Sequence, residues 1–309
     1  MKQIDERDVL IVGGGPAGMT AALWCAELKL SALLVDENKE LGGQLSRIFN
    51  RIENYPGVAA ANGRALCELF LASLRDRTFE TRKNAKVVNA DLLSKTVVLE
   101  SGEELRAKAI IIAAGVRRRK LKVEGEDEFA GRGIMSSGAG EREAVQGKRV
   151  VIVGGGDAAL ENTVQLSDQA EQIIVVHRRE QLTARDEFVK AARSKKNVRF
   201  ELGSTIKRII GNEVVEAVEV SGGGVSSFIE TDKVLIRIGV EPNSELLAGQ
   251  VELDHSGYAI VDAAGRTTAE GVFIAGDLAS PDSPTIATAV GMGATSAKAA
   301  HQFLASCSK

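Results

Sequence analysis

The stretch DVLIVGGGPAG at 8–18 constrains the fold of this chain more than any other. Its first residues, rich in Val, Leu and Ile, read as a buried strand. Gly13, Gly15 and Gly18 then fall on G-x-G-x-x-G spacing, and MTAALWCAEL continues as a helix. The first Gly permits a tight turn, the second lets a pyrophosphate approach the backbone, and the third lets the helix pack on the strand. The phosphates of a dinucleotide then meet free N–H groups at the positive end of the helix. One such turn is a weak signal, because Gly-rich turns are common. A second copy strengthens it: KRVVIVGGGDAALENTVQL at 148–166 gives a strand, then Gly154, Gly156 and Ala159 on G-x-G-x-x-A spacing, then a helix.

The residues that end each following strand distinguish the two nucleotides. LSALLVDE (30–37) ends in Asp36 and Glu37, acids that accept hydrogen bonds from a ribose 2′-OH and oppose a 2′-phosphate, which suits FAD or NAD. EQIIVVHRRE (171–180) ends in His177, Arg178 and Arg179, where two guanidiniums can clamp a 2′-phosphate, which suits NADPH. LGGQL (41–45) and IENYPG (52–57) are turn-rich loops whose Gln44 and Asn54 suit an amide-like ring. LRAKAIIIAAG (105–115) and EGVFIAGDLAS (270–280) read as buried strands, and 62–76 and 285–304 as helices. VRFELG, EVVEAVEV and DKVLIRIG read as antiparallel strands closing the second domain, with SGGG (221–224) as a turn.

At 309 residues the chain has room for two domains, each with its own core. A net charge of -3 gives no general attraction to nucleic acid or an anionic membrane. The charged start MKQIDERDVL lacks a signal-peptide pattern, and no apolar run is long enough to span a bilayer, so the cytoplasm is the expected compartment. Cys25, Cys67 and Cys307 form neither a disulfide framework nor a C-x-x-C. His177, His255 and His301 are too scattered for a zinc site, so no metal is expected. The basic run Arg117, Arg118, Arg119 and Lys120 reads either as a solvated face or as a landing site for an acidic partner.

Taken in order, GGQL, IENYPG, IIAAG, HRR, GVEPN (239–243) and AGD (275–277) resemble the low-molecular-weight thioredoxin reductase family over nearly the whole chain. The resemblance implies an α/β fold of two Rossmann-like, FAD/NAD(P)-binding three-layer domains, the second inserted into the first, and a homodimer. The FAD domain would be 1–116 plus 244–309, and the NADPH domain 117–243. It implies FAD contacts at Gly13, Gly15, Pro16, Ala17, Gly18, Asp36, Glu37, Gly43, Gln44, Leu45, Asn54, Ala114, Gly115, Gly276, Asp277, Thr285 and Ile286, with Asp277 suited to a ribityl hydroxyl. It implies NADPH contacts at Gly154, Gly156, Asp157, Ala158, Ala159, His177, Arg178 and Arg179. Arg185 would supply the charge of a family arginine that is replaced here by Thr183.

The resemblance fails at the dithiol. Members that reduce thioredoxin carry a C-x-x-C where GRGIMSSGAGERE (131–143) places Ser137, Gly138, Ala139 and Gly140. A serine hydroxyl cannot form a disulfide or replace a thiolate in exchange, so no catalytic side chain is expected and the chemistry centres on the flavin. Some relatives instead use a cysteine in the first Gly-rich loop, where Ala17 stands here. The expected function is therefore an FAD enzyme that takes hydride from NADPH and passes electrons directly to an external acceptor. That acceptor would be a small molecule or a carrier such as ferredoxin or flavodoxin. The triplet Ile286, Ala287 and Thr288 is similar to that of ferredoxin-NADP reductases of thioredoxin reductase type. Two alternatives stand beside it: a disulfide reductase working through Cys307, Cys25 or a partner's thiols, and a non-catalytic redox-sensing flavoprotein.

Overall fold

The fold grows from β1 (Arg7–Val12), whose alternate side chains go to opposite faces. Val9 and Ile11 join one apolar core, Leu10 and Val12 another, so this strand must lie inside a sheet covered on both sides. The computed structural model describes residues 7–307. After β1 come α1 (Pro16–Glu27), β2 (Ala32–Val35), α2 (Gly63–Leu74), β3 (Glu80–Arg82), β4 (Val87–Asp91), β5 (Thr96–Leu99) and β6 (Glu104–Ile112). Pro16 opens α1, where a missing N–H costs nothing, and Asn62 caps α2 by accepting from the Ala65 N–H at 3.0 Å.

β7 (Val116–Arg118) leads into the inserted unit, which holds β8 (Ile134–Met135), β9 (Arg149–Val153), α3 (Asp157–Ser167), β10 (Gln172–His177), α4 (Asp186–Arg193) and β11 (Val198–Leu202). It continues with β12 (Ser204–Gly211), β13 (Val215–Gly222), β14 (Val225–Glu230) and β15 (Lys233–Ile236). The chain then returns through β16 (Val240–Pro242) to β17 (Val272–Ile274) and α5 (Ile286–Cys307). Two units result, Met1–Arg117 with Glu241–Lys309, and Arg118–Val240. The crossings fall after Arg117 and after Val240, where the sequence reading put them after Val116 and Asn243. They lie inside β7 and β16, which pair with each other as a two-stranded sheet.

In the first unit the strand order is β3-β2-β1-β6-β5-β4, with β17 also on β6. β6 serves both arrangements because it is long: its second half pairs in parallel with β1 and β17, its first half antiparallel with β5. On one face α1 and α5 cross closely, and a Cβ on Gly293 would lie 2.2 Å from the Ala17 carbonyl oxygen, which explains the small residues of α5. In the second unit a parallel sheet, β11-β10-β9-β15-β8, lies between two layers. Ile152, Ile173 and Val175 share a core with Leu160 and Leu166 of α3. Val151, Val153 and Val234 share the other with Ile206 and Val218 of the antiparallel sheet β12-β13-β14.

The antiparallel reading of this region holds for β13, and the turn at 221–224 links it to β14. It fails for the other two segments. DKVLIRIG forms β15, a parallel strand with Val234 and Leu235 fully buried. VRFELG forms β11, parallel to β10 at the sheet's edge. The polar residues that suggested a half-exposed strand mark the edge in β11 and the ends in β15. Among the described residues no helix is long and apolar enough to cross a membrane.

Candidate functional site

In the first unit, a cleft of about 1040 Å³ opens at the carboxyl end of β1. Gly13 takes φ +104°, and a Cβ there would lie 2.4 Å from the Ala113 carbonyl oxygen, so the turn demands glycine twice over. Gly18 packs α1 onto the same turn, a Cβ falling 1.8 Å from the Gly13 oxygen. Gly13, Gly15, Pro16, Ala17, Asp36, Glu37, Gly43, Gln44, Leu45, Ala114, Gly115, Gly276, Asp277, Thr285 and Ile286 all line the cleft. Gly18 and Asn54 do not: Gly18 lies buried beneath the turn, and Asn54 is exposed on its loop. The cleft also takes in Lys39 and Arg47, which the sequence reading passed over; Arg47 follows Gln44 within one helical turn, Gly43–Arg47.

Several of these groups are already engaged. Asp36 accepts from the Gly14 N–H at 2.6 Å through Oδ2, and from both the backbone and side chain of Asn38 through Oδ1 at 2.7 and 2.9 Å. Its carboxylate thereby fixes the turn, and Glu37 remains the exposed acid at the strand's end. Gln44 donates from Nε2 to the Val116 carbonyl at 2.7 Å, leaving its Oε1 as the open group. Asp277 has no hydrogen-bond partner for its carboxylate among the described residues, and burial pushes its pKa up. A half-buried acceptor without a donor suits a hydroxyl-bearing ligand, so the cleft fits FAD in size, in its glycine turn and in this carboxylate.

The second unit repeats the turn. Gly154 takes φ +139° with a Cβ position 2.1 Å from the Arg237 carbonyl oxygen, and Ala159 is fully buried behind it. The His177 ring lies under Gly155, where a Cβ would meet its Cγ at 2.5 Å. Burial lowers the His177 pKa, with Arg178 and Arg179 adding to the effect, and its Nε2 is buried without a partner. Thr183 stands where the family has an arginine; its N–H donates to the Gly155 carbonyl at 2.8 Å and so holds the turn. Arg178 and Arg179 are exposed, and no ion pair engages them among the described residues. Arg185 differs: its Nε donates to Asp157 at 2.8 Å, it pairs with Glu187 at 2.8 Å, and it stacks on Phe188. Arg185, expected to replace the family arginine, is thus shared between acids at the starts of α3 and α4. The surface pair Arg178 and Arg179 fits the 2′-phosphate of NADPH, with Gly154, Gly156 and Ala158 along the turn.

The loop without cysteines is closed by its own hydrogen bonds. Ser137 Oγ accepts from the Gly140 N–H at 3.0 Å, and Glu141 accepts from the N–H groups of Ser136 and Ser137 at 2.8 and 3.0 Å. A Cβ on Gly138 would lie 1.8 Å from Asn162 Oδ1, so the Asn162 side chain would have to shift to admit one. The remaining thiols sit elsewhere. Cys25 is fully buried and pushed up to about 12, chiefly by burial. Cys67 donates to the Leu41 carbonyl at 3.4 Å and is also raised by burial, while Cys307 is exposed at the end of α5. None of the three lines the cleft.

The basic run is engaged as well. Arg117 bonds Glu241, Asn243 and Glu245, Arg118 bonds the Ser136 carbonyl, Arg119 the Val240 carbonyl, and Lys120 pairs with Asp127. These bonds hold the crossing strands, and carboxylates offset the charges of Arg117 and Lys120, whereas the carbonyls that Arg118 and Arg119 meet are neutral.

A family model described as "Pyridine nucleotide-disulphide oxidoreductase" matches residues 7–293. The thioredoxin reductase of Mycolicibacterium smegmatis is 34% identical over 309 residues, covering 96% of each chain. That of Streptomyces coelicolor is 33% identical, covering 98% of this chain and 96% of the relative. Among solved structures, Lactococcus lactis thioredoxin reductase superposes with a TM-score of 0.84 at 29% identity, covering 97% of this chain and 100% of that one. The chain belongs to the pyridine nucleotide-disulphide oxidoreductase family, as a thioredoxin reductase-like flavoprotein that uses FAD and NADPH.

Proposed function

We propose that this chain is an NADPH-dependent disulfide reductase in which both reacting sulfurs belong to the acceptor. FAD is held by the unit made of 1–117 and 241–309, NADPH by 118–240. The observation that carries this reading is the Ser137–Gly140 turn, closed at 3.0 Å without a thiol, in a chain whose curated relatives are named thioredoxin reductases. The overall change is NADPH, a proton and a disulfide giving NADP⁺ and two thiols. Bound FAD supplies a two-electron carrier between hydride donor and disulfide. The chain's own groups bind and orient. Glu37 accepts from ribose hydroxyls, Asp277 from a ribityl hydroxyl, and Arg178 and Arg179 clamp the 2′-phosphate.

Ferredoxin and flavodoxin, the carriers expected from the missing dithiol, lose part of their electrostatic support, because Arg117 and Lys120 are paired with carboxylates. The test is anaerobic NADPH consumption by the FAD-loaded protein with thioredoxin, a small aromatic disulfide, ferredoxin or flavodoxin. Turnover of a disulfide that persists in Cys25→Ser, Cys67→Ser and Cys307→Ser supports the reading. Turnover of the one-electron carriers alone overturns it and restores direct delivery to a carrier; loss in Cys307→Ser assigns the chemistry to that thiol.

A further inference from the structure

The sheet edge that carries the second glycine turn also carries an arginine that no part of the function above uses. Ile236, the last residue of β15, pairs with Val153, so the next residue, Arg237, stands beside the turn. Its N–H donates to the Val153 carbonyl at 2.7 Å, and its own carbonyl is the atom that excludes a side chain from Gly154. α3 leads from β9 to β10, whereas β15 lies on the other flank of β9, so the strand order reverses between β9 and β15. Open α/β sheets take ligands at that reversal, outside the carboxyl ends of the strands. Arg178 and Arg179 follow β10 on one side of the turn, and Arg237 follows β15 on the other.

The Arg237 guanidinium is poorly matched by its own protein. Its hydrogen bond among the described residues runs from Nη1 to the Ile236 carbonyl at 2.8 Å, which leaves most of its five donors without an acceptor. Burial, with the charge of Arg118 beside it, holds its pKa down to about 10, and Glu141 offsets this only in part. Both neighbours are already tied to the turn after β8: Arg118 to the Ser136 carbonyl, Glu141 to Ser136 and Ser137. A largely buried cation with open donors gains most from an anion that accepts several of them.

We propose that Arg237 binds the nicotinamide-side phosphate of NADPH. The proposal rests on the NADPH assignment above and divides the site in two: Arg178 and Arg179 read the 2′-phosphate, which only NADPH has, while Arg237 holds a phosphate common to NADPH and NADH. Binding of four probes to the FAD-loaded protein tests this: NADPH, NADH, reduced nicotinamide mononucleotide, and 2′,5′-ADP, which carries the 2′-phosphate without the nicotinamide half. In Arg237→Gln the dissociation constants of the first three rise about tenfold or more, and that of 2′,5′-ADP stays within about twofold. Arg237→Lys, which keeps the charge but not the fork, recovers part of the loss. Unchanged affinities in a variant with normal FAD content and circular dichroism overturn the proposal. So does a loss that includes 2′,5′-ADP, since it means that Arg237 supports the turn or meets the adenosine-side phosphate instead of the nicotinamide-side one. Failure of the wild-type protein to bind 2′,5′-ADP strikes instead at the NADPH assignment, and the proposal falls with it.

Discussion

Replacing Arg178 and Arg179 by Ala, singly and together, separates a 2′-phosphate clamp from a solvated charge pair. Both side chains stand exposed at the end of β10 without an ion pair among the described residues, so removal leaves no buried partner uncompensated and perturbs no core. The loss therefore measures attraction to the ligand. A guanidinium facing a dianionic phosphate through charge-assisted bonds at the surface contributes roughly tenfold in affinity, and the pair roughly a hundredfold. NADH, lacking that phosphate, moves by less than about twofold. Salt supplies a second axis, because screening sets in over about 8 Å at physiological ionic strength. The wild-type preference for NADPH thus shrinks as salt rises, while the double variant shows little preference to lose. Stopped-flow reduction of the bound flavin over a range of NADPH and NADH concentrations reads all of this. Equal losses for the two nucleotides refute the clamp.

Three further outcomes follow from the geometry. Gly18→Ala places a Cβ 1.8 Å from the Gly13 oxygen, and either the turn or α1 must shift, at a cost of about 3 kcal/mol read as a lowered melting temperature and lost FAD. Asp277→Asn separates stability from function. Burial raises this acid's pKa, so the folded apoprotein holds a proton more tightly than the unfolded chain and loses stability as pH rises from the acid's ordinary range through its raised value. The variant apoprotein is accordingly more stable than wild type at neutral pH and less dependent on pH across that window, yet it releases FAD faster; a variant that holds FAD as tightly as wild type removes Asp277 from the site. Cys25→Ser puts a hydroxyl where a fully buried thiol sits among Ala and Ile side chains, costing about 1–2 kcal/mol, with turnover per bound FAD unchanged.

What could be read from the residues, and what could not, divides along one physical line. The two turns were legible because backbone geometry there admits only glycine: Gly13 and Gly154 combine a positive φ with a carbonyl 2.4 and 2.1 Å from any Cβ. β15 was misread because Lys233 at its start and Arg237 just past its end mimic the alternation of a half-exposed strand, although Val234 and Leu235 between them are fully buried. Charge was legible, but whether a charge is already satisfied was not. Asp36, Gln44, Arg185 and the run Arg117 to Lys120 carry the residue types that ligands require, and the fold uses them to hold turns and crossing strands. Glu37, Arg178, Arg179, Asp277 and Arg237 are the same types left with open donors or acceptors at the two strand-end sites. Of these, Asp277 and Arg237 are partly desolvated, and a polar group desolvated without a partner costs stability that a ligand can offset; Glu37, Arg178 and Arg179 stand exposed and carry no such cost. The same reasoning weighs on the missing dithiol. Ser137 and Glu141 close their turn with internal hydrogen bonds, so on the function proposed above the turn offers the acceptor no thiol to exchange with.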